Sequence, residues 1–345
     1  MSGLHSPADL AAAGLAAPQA VAALEGVTAR YAMAITPEIA ALIDPLDPRD
    51  PIRRQFVPDV AELETRPQER ADPIGDQAHS PVEGIVHRYP DRVLLKLLHA
   101  CPVYCRFCFR RETVGPGGAG MLSGAALEGA LAYIRSDTAI WEVILTGGDP
   151  LALSSRRLGE AMEALAAIPH VKVVRLHSRV PAVDPSRITP QVIAALKRFP
   201  RAVYVALHAN HPRELTNGAR AACARLIDSG VVMVSQSVLL AGVNDDAAVL
   251  ADLMRAFVET RIKPYYLHHP DLAPGTAHLR VSIARGQELV RALLGRVSGL
   301  CQPAYVLDIP GGFGKSPIGP TYLAQTDAGW RVADFQGGTH DYDDV

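Results

Sequence analysis

Seven short apolar runs, each parted from the next by room for a helix, constrain this chain most. They fall at 93–98, 143–145, 171–176, 203–207 and 231–234, with shorter ones at 265–267 and 305–307. Between them lie amphipathic stretches. Leu158, Met162, Leu165 and Ile168 recur at helical spacing behind a capping Ser154 or Ser155, and Ile283, Val290, Leu293 and Leu294 do so behind Ser282. Short apolar runs alternating with amphipathic helices predict an α/β fold with a parallel sheet. Six or so repeats favour a full or partial barrel over a flat doubly wound layer, and a partial TIM-type (β/α)6 barrel is expected. Such a barrel carries its functional loops at the carboxyl ends of its strands.

The distinctive polar groups fall at those ends. Cys101 follows the first run, Thr146-Gly147-Gly148-Asp149 the second, His177-Ser178-Arg179 the third and His208-Ala209-Asn210-His211 the fourth. Ser235-Gln236 ends the fifth, His268-His269-Pro270-Asp271 follows the sixth, and Asp308 opens a Gly-rich stretch after the last. Residues 1–44 have Ala and Leu at helical spacing, and eight prolines from Pro45 to Pro90 mark an irregular wrapping segment. The expected division is a helical and wrapping segment at 1–90, a barrel at 91–310 and a short tail at 311–345.

Composition excludes several classes. A net charge of −2 leaves no electrostatic footprint for nucleic acid. No run of about 18 uninterrupted apolar residues implies a membrane span. The Ala-rich stretch Leu10–Leu24 is broken by Pro18 and Gln19 and lacks the basic start of a signal peptide. Five cysteines in 345 residues are no disulfide framework. A cytoplasmic protein acting on a small molecule is expected.

Three of the cysteines, Cys101, Cys105 and Cys108, form C-x3-C-x2-C. One loop can wrap three such thiolates around one side of a metal centre. A fully ligated 4Fe–4S cluster takes four cysteines, so three leave one iron open. A structural zinc site would need a fourth ligand, for which His99 is the nearest candidate, and three reduced core thiols are the other alternative. Cys223 and Cys301 read as buried thiols. The triplet is similar to that of radical S-adenosylmethionine (SAM) enzymes, and Thr146–Pro150 resembles their glycine-rich SAM motif. The resemblance implies that Gly147, Gly148 and Asp149 bind SAM, with two glycines allowing close backbone approach.

The second signal is Lys315 in Pro310-Gly-Gly-Phe-Gly-Lys-Ser-Pro317. A phosphate-binding P-loop requires glycine where Ile309 stands, and Pro317 falls where its helix should begin. What remains is a lysine on a glycine-rich loop: a plain surface lysine, or one presented to an aldehyde cofactor such as pyridoxal phosphate (PLP).

Taken together, the motifs resemble the lysine 2,3-aminomutase family. They are D-P-I-R-R-Q at 50–55, H-R-Y-P-D-R at 87–92, the cysteine segment 101–111 and L-T-G-G-D-P at 145–150. H-A-N-H-P at 208–212, Q-S-V-L-L-A-G-V-N-D at 236–245 and D-I-P-G-G-F-G-K-S-P at 308–317 complete the likeness. The resemblance implies an isomerase that uses a 4Fe–4S cluster, SAM and PLP to move the amino group of L-lysine from C2 to C3. Lys315 matches the lysine that carries PLP. Arg88, Tyr89 and Arg92 match PLP contacts, Arg110 the partner of the substrate α-carboxylate, and His208 and Gln236 positions near SAM. Asp271 and Asp308 match the pair that holds the substrate ε-ammonium. An external electron donor is implied, and a homo-oligomer is compatible. Asp246 stands where longer members place a zinc-site cysteine, so zinc is not expected. The short length resembles the branch that supplies β-lysine for elongation factor P, and another amino acid as substrate is the remaining alternative.

Overall fold

The computed structural model describes residues 3–115, 120–327 and 329–343. Nine strands form one sheet in chain order: β1 (Ile85–Tyr89), β2 (Arg92–Leu98), β3 (Glu142–Gly147), β4 (Val173–Ser178), β5 (Ala202–His208), β6 (Val232–Val238), β7 (Lys263–His268), β8 (Ala304–Asp308) and β9 (Lys315–Pro317). Strands β2 to β8 are parallel. The edge strands β1 and β9 fold back antiparallel on β2 and β8. All seven apolar runs are therefore strands.

Four short helices precede the sheet: α1 (Pro7–Ala12), α2 (Val21–Thr28), α3 (Pro37–Ala40) and α4 (Pro51–Phe56). Crossovers between the parallel strands carry α5 (Gly124–Ser136), α6 (Ser155–Ala166), α7 (Val180–Val183) with α8 (Pro190–Leu196), α9 (Asn217–Asp228), α10 (Ala247–Glu259) and α11 (Ile283–Leu293). Six crossovers thus join seven parallel strands, the partial barrel that the repeats predict. Ser154 and Ser282 cap α6 and α11 through their side chains. Leu158, Met162 and Leu165 on α6 are buried, whereas Ile283 on α11 is 41% exposed. Burying each such Leu or Ile contributes about 1.5–3 kcal/mol. Cys223 and Cys301 are buried thiols.

The sheet curls without closing by a ladder. Its two edges, β1 and β9, share no strand pairing, yet the Lys315 N–H donates to Tyr89 Oη at 2.7 Å. Loops after the strands therefore gather at one mouth.

Two segments depart from the sequence reading. The helical stretch expected over 1–44 is broken, because Gly14 takes a φ of +73° and Pro18 begins a separate turn. A three-stranded antiparallel sheet, β10 (Leu323–Thr326), β11 (Gly329–Ala333) and β12 (Thr339–Tyr342), forms the tail. It had no apolar run to announce it, since Leu323 and Tyr342 are exposed. Among the described residues no helix is long and apolar enough to cross a membrane.

Candidate active site

The cysteine loop follows β2, and Cys101, Cys105 and Cys108 line one cavity with Tyr31, Tyr104 and Arg111. None is in a disulfide. Burial, joined at Cys101 and Cys105 by the charge of neighbouring thiols, pushes all three thiols up, Cys105 to about 11 even with Arg179 opposing the shift. A cationic metal centre reverses that preference for the neutral thiol.

The loop is pinned from two sides. On one, Arg106, only 1% exposed, pairs with Glu62 at 2.6 Å and donates to Ala32 O at 2.7 Å. Arg111 also pairs with Glu62 and stacks 3.5 Å from the Tyr31 ring centre. Burial would raise the Glu62 carboxyl, but the two guanidiniums hold it below its ordinary value.

On the other side, the glycine motif knits onto the end of β2. The Gly148 N–H donates to Leu98 O at 2.5 Å and the Asp149 N–H to Ala100 O at 3.0 Å. A Cβ on Gly148 would stand 2.1 Å from Ala100 O, and one on Gly147 2.5 Å from Leu98 O. Both glycines thus permit close approach of the chain entering Cys101. Asp149 accepts from the N–H groups of Leu151 at 3.0 Å, Arg179 at 2.7 Å and Val180 at 3.2 Å. Its carboxylate braces two loops.

Across the mouth, Asp76 joins two arginines. Its Oδ1 accepts from Arg88 Nη2 at 3.0 Å, and its Oδ2 from Arg110 Nη2 at 2.9 Å and Nε at 3.2 Å. Burial would raise the Asp76 carboxyl, but Arg110 and then Arg88 hold it down. This grip leaves Arg110 Nη1 directed to Thr146 Oγ1, at 3.4 Å. Arg88 Nη2 also donates to Ile74 O at 2.8 Å, while its Nε is buried without a partner. Arg92 lies 3.8 Å from the Tyr89 ring centre and pairs with Asp91 at 2.6 Å.

Lys315 sits opposite Asp308 in the β8–β9 register, and its Nζ meets Asp308 Oδ1 at 2.6 Å. The hairpin turns through Gly311, Gly312 and Gly314, all at φ near +90°. A side chain on Gly312 would strike His79 and one on Gly314 would strike Tyr89. Burial opposes ionisation of Asp308, but His268, 3.6 Å from its Oδ2, and the Lys315 ammonium hold it far below the usual carboxylate range. Asp271 is the reverse. Burial, and then the Asp308 charge, push it up to about 7, against the pull of Lys315 and Arg110.

Toward the cysteines, His208 meets Phe107 edge-on at 5.8 Å, and its Nε2 is buried without a partner. Gln236 lies opposite His208 in register and its Nε2 is 3.3 Å from His177 Nε2. Burial keeps both histidines neutral, with Arg175 adding to the effect at His177 and Arg179 at His208.

Asp76, Thr146, His177 and His268 thus join the site without having been assigned a role from the sequence. The two histidines were visible as groups after strands. Asp76 carried no signal, because it lies in the proline-studded wrap.

The radical SAM superfamily model matches residues 95–254. Over 313 residues the chain is 41% identical to an L-lysine 2,3-aminomutase of Acetoanaerobium sticklandii, spanning 90% of this chain and 75% of that one. It is 43% identical over 291 residues to an L-lysine 2,3-aminomutase of Clostridium subterminale, spanning 84% and 70%. The chain belongs to the lysine 2,3-aminomutase family. It is a radical SAM aminomutase, an isomerase. The relatives also include a glutamate 2,3-aminomutase of Clostridioides difficile, 37% identical over 300 residues, spanning 87% and 70%.

Membership of the lysine 2,3-aminomutase family implies a 4Fe–4S cluster, SAM and PLP, and the residues present fit them. Three unbridged thiols line one cavity. Among the described residues no group of three His, Cys, Asp or Glu side chains is arranged to hold a single metal ion. Buried His208 Nε2 and Arg88 Nε, which have no hydrogen-bond partner among the described residues, are polar atoms that fit ligand groups at the two ends of the site.

Proposed function

We propose that this aminomutase acts on L-lysine, moving its α-amino group to C3 to give β-lysine. The observation that carries the reading is the ammonium of Lys315 at 2.6 Å from Asp308, with Asp271 beside the pair. A buried carboxylate bonded to an ammonium, with the half-buried Asp271 near enough to feel both charges, makes a site for a cation. A second ammonium, brought by the substrate, supplies the charge that the raised Asp271 lacks. An anionic side chain such as that of glutamate would meet two carboxylates there, which disfavours the glutamate activity of one relative.

When bound, the cluster with SAM would supply hydrogen-atom abstraction from the substrate, and PLP would supply a π-system able to delocalise an unpaired electron. In this reading Cys101, Cys105 and Cys108 would hold the cluster, and Gly147, Gly148, Asp149, His208 and Gln236 would bind SAM beside it. Lys315 is the covalent attachment point for PLP. Arg88 and Arg92 offer donors to its phosphate, flanking Tyr89. Arg110 takes the α-carboxylate through the edge that Asp76 leaves free. Asp271 and Asp308 take the ε-ammonium. These contacts fix both ends of the substrate, which positions the reacting carbon. β-Lysine made here would be open to use in modifying elongation factor P, as in the short branch that the sequence resembles.

The test is anaerobic incubation of the cluster-loaded protein with SAM, PLP, a reductant and either L-lysine or L-glutamate. β-Lysine from lysine alone is expected. Turnover of glutamate alone would overturn the substrate assignment.

A further inference from the structure

Two of the motifs that mark this chain, D-P-I-R-R-Q at 50–55 and H-A-N-H-P at 208–212, contribute Gln55 and Asn210, whose side chains, among the described residues, hydrogen-bond to none of those assigned above to PLP or lysine. Both end in one buried polar network with Arg179 and Glu214. Gln55, Asn210 and Glu214 are 0% exposed and Arg179 is 6% exposed. The Arg179 Nη2 pairs with Glu214 and donates to Gln55 Oε1 at 3.2 Å. Gln55 Nε2 donates to Glu214 Oε1 at 3.1 Å, and Asn210 Nδ2 to Gln55 Oε1 at 3.1 Å. The N–H groups of Asn210 and His211 reach Glu214 Oε1 at 2.8 and 2.9 Å. The rings of Phe56 and Phe107 flank the guanidinium at 4.9 and 5.5 Å.

The network delivers one thing to the site. Arg179 Nη1 donates to the sulfur of Cys105 at 3.2 Å. A guanidinium is always charged, and a buried, dry environment strengthens its field. Placing a cationic donor against this cysteine is otherwise hard to account for, because a neutral thiol makes a poor acceptor. A thiolate bound to iron makes a good one.

We propose that Arg179 is a positioning residue that sets the reduction potential of the cluster through the Cys105 sulfur, with Glu214 as its counterweight. Adding an electron to a cluster makes its sulfurs more electron-rich. A cationic hydrogen-bond donor stabilises that state and raises the potential. Glu214 partly cancels the charge, while Gln55 and Asn210 fix the planar guanidinium so that one nitrogen faces sulfur and the other faces carboxylate. The chain thereby adjusts how readily the external donor reduces the cluster. This proposal rests on the assignment of Cys105 as a cluster ligand.

The test is a redox titration of the reconstituted full-length protein, followed by the paramagnetic signal of the reduced cluster, without SAM. Arg179→Gln removes the positive charge and is expected to move the midpoint to more negative potential. Glu214→Gln removes the negative charge and is expected to move it to more positive potential. Opposite shifts are the signature of charge acting on the cluster. Two unchanged midpoints, or two shifts of the same sign, would overturn the proposal. If Arg179→Gln fails to assemble a cluster, Glu214→Gln decides alone: a positive shift supports the proposal, and no shift or a negative one overturns it. A wild-type chain that takes up no iron and sulfide would overturn the cluster assignment and this proposal with it.

Discussion

The backbone N–H of Lys315 donates to the phenolic oxygen of Tyr89 at 2.7 Å, and this contact spans the two edges of the sheet. Tyr89 ends the first strand and Lys315 begins the last of the nine. The lysine proposed to carry PLP is therefore placed by the same contact that brings the sheet round on itself. Replacing Lys315 by Ala keeps this N–H, so the fold should survive. The variant is expected to lose covalent PLP attachment and with it essentially all turnover. Borohydride reduction followed by denaturation should leave PLP on the wild-type chain and none on the variant.

Asp271 sets a pH dependence. Burial, and then Asp308, hold it near pH 7 against an ordinary value of 3.8. Below about 7 it is neutral and a poor partner for an ammonium. Lysine affinity is expected to rise as pH climbs through about 7 and then level off. For the ligand-free protein the sign is opposite. The folded state keeps a proton that the unfolded state has lost, so this group reduces stability as pH rises from about 4 to 7. Asp271→Asn should flatten the pH profile of KM for lysine and raise KM about tenfold or more, the loss expected of a hydrogen bond to a charged group worth ~1.5–3 kcal/mol. Steady-state kinetics at several pH values measure both.

Asp76 bridges Arg88 and Arg110, offsetting one of their two positive charges, and fixes which edge of Arg110 faces the interior. Asp76→Asn is expected to raise KM for lysine by about tenfold with a smaller change in kcat, since removing a charged hydrogen-bond partner costs about 1.5–3 kcal/mol. PLP affinity should fall as well, through Arg88. Asp76→Glu should recover part of both. Equilibrium dialysis against PLP, together with the split between KM and kcat, measures the effect.

Gly148 admits no side chain, because a Cβ would meet Ala100 O at 2.1 Å. Gly148→Ala should push the segment ahead of Cys101 out of place. The expected outcome is a folded protein with reduced iron and sulfide content, read by chemical analysis alongside circular dichroism.

Much of the fold was legible in the sequence because each buried strand needs a run of apolar residues and each crossover helix an apolar stripe. The cysteines and Lys315 were legible because few chemistries call for three thiols at that spacing or a lysine after three glycines. Less visible were the residues that act through others. Asp76 belongs to no periodic element. Gly147 and Gly148 announced close backbone approach, but a sequence does not say that their Cα atoms pack against Leu98 and Ala100. Strands β10 to β12 are too exposed to leave an apolar trace.

The wrapping segment has a consequence for how this molecule could be cut. Glu62 anchors two arginines of the cysteine loop, Gln55 helps hold Arg179, and Asp76 ties Arg88 to Arg110. All three lie ahead of the first parallel strand. A fragment beginning at β2 would retain every cysteine and the lysine, yet Arg106, Arg110 and Arg111 would lose their carboxylate partners, while Arg179 would keep Glu214 but lose the orienting Gln55. The piece that resembles a self-sufficient catalytic barrel is electrostatically half a molecule, and its missing counter-ions travel in the least regular stretch of the chain.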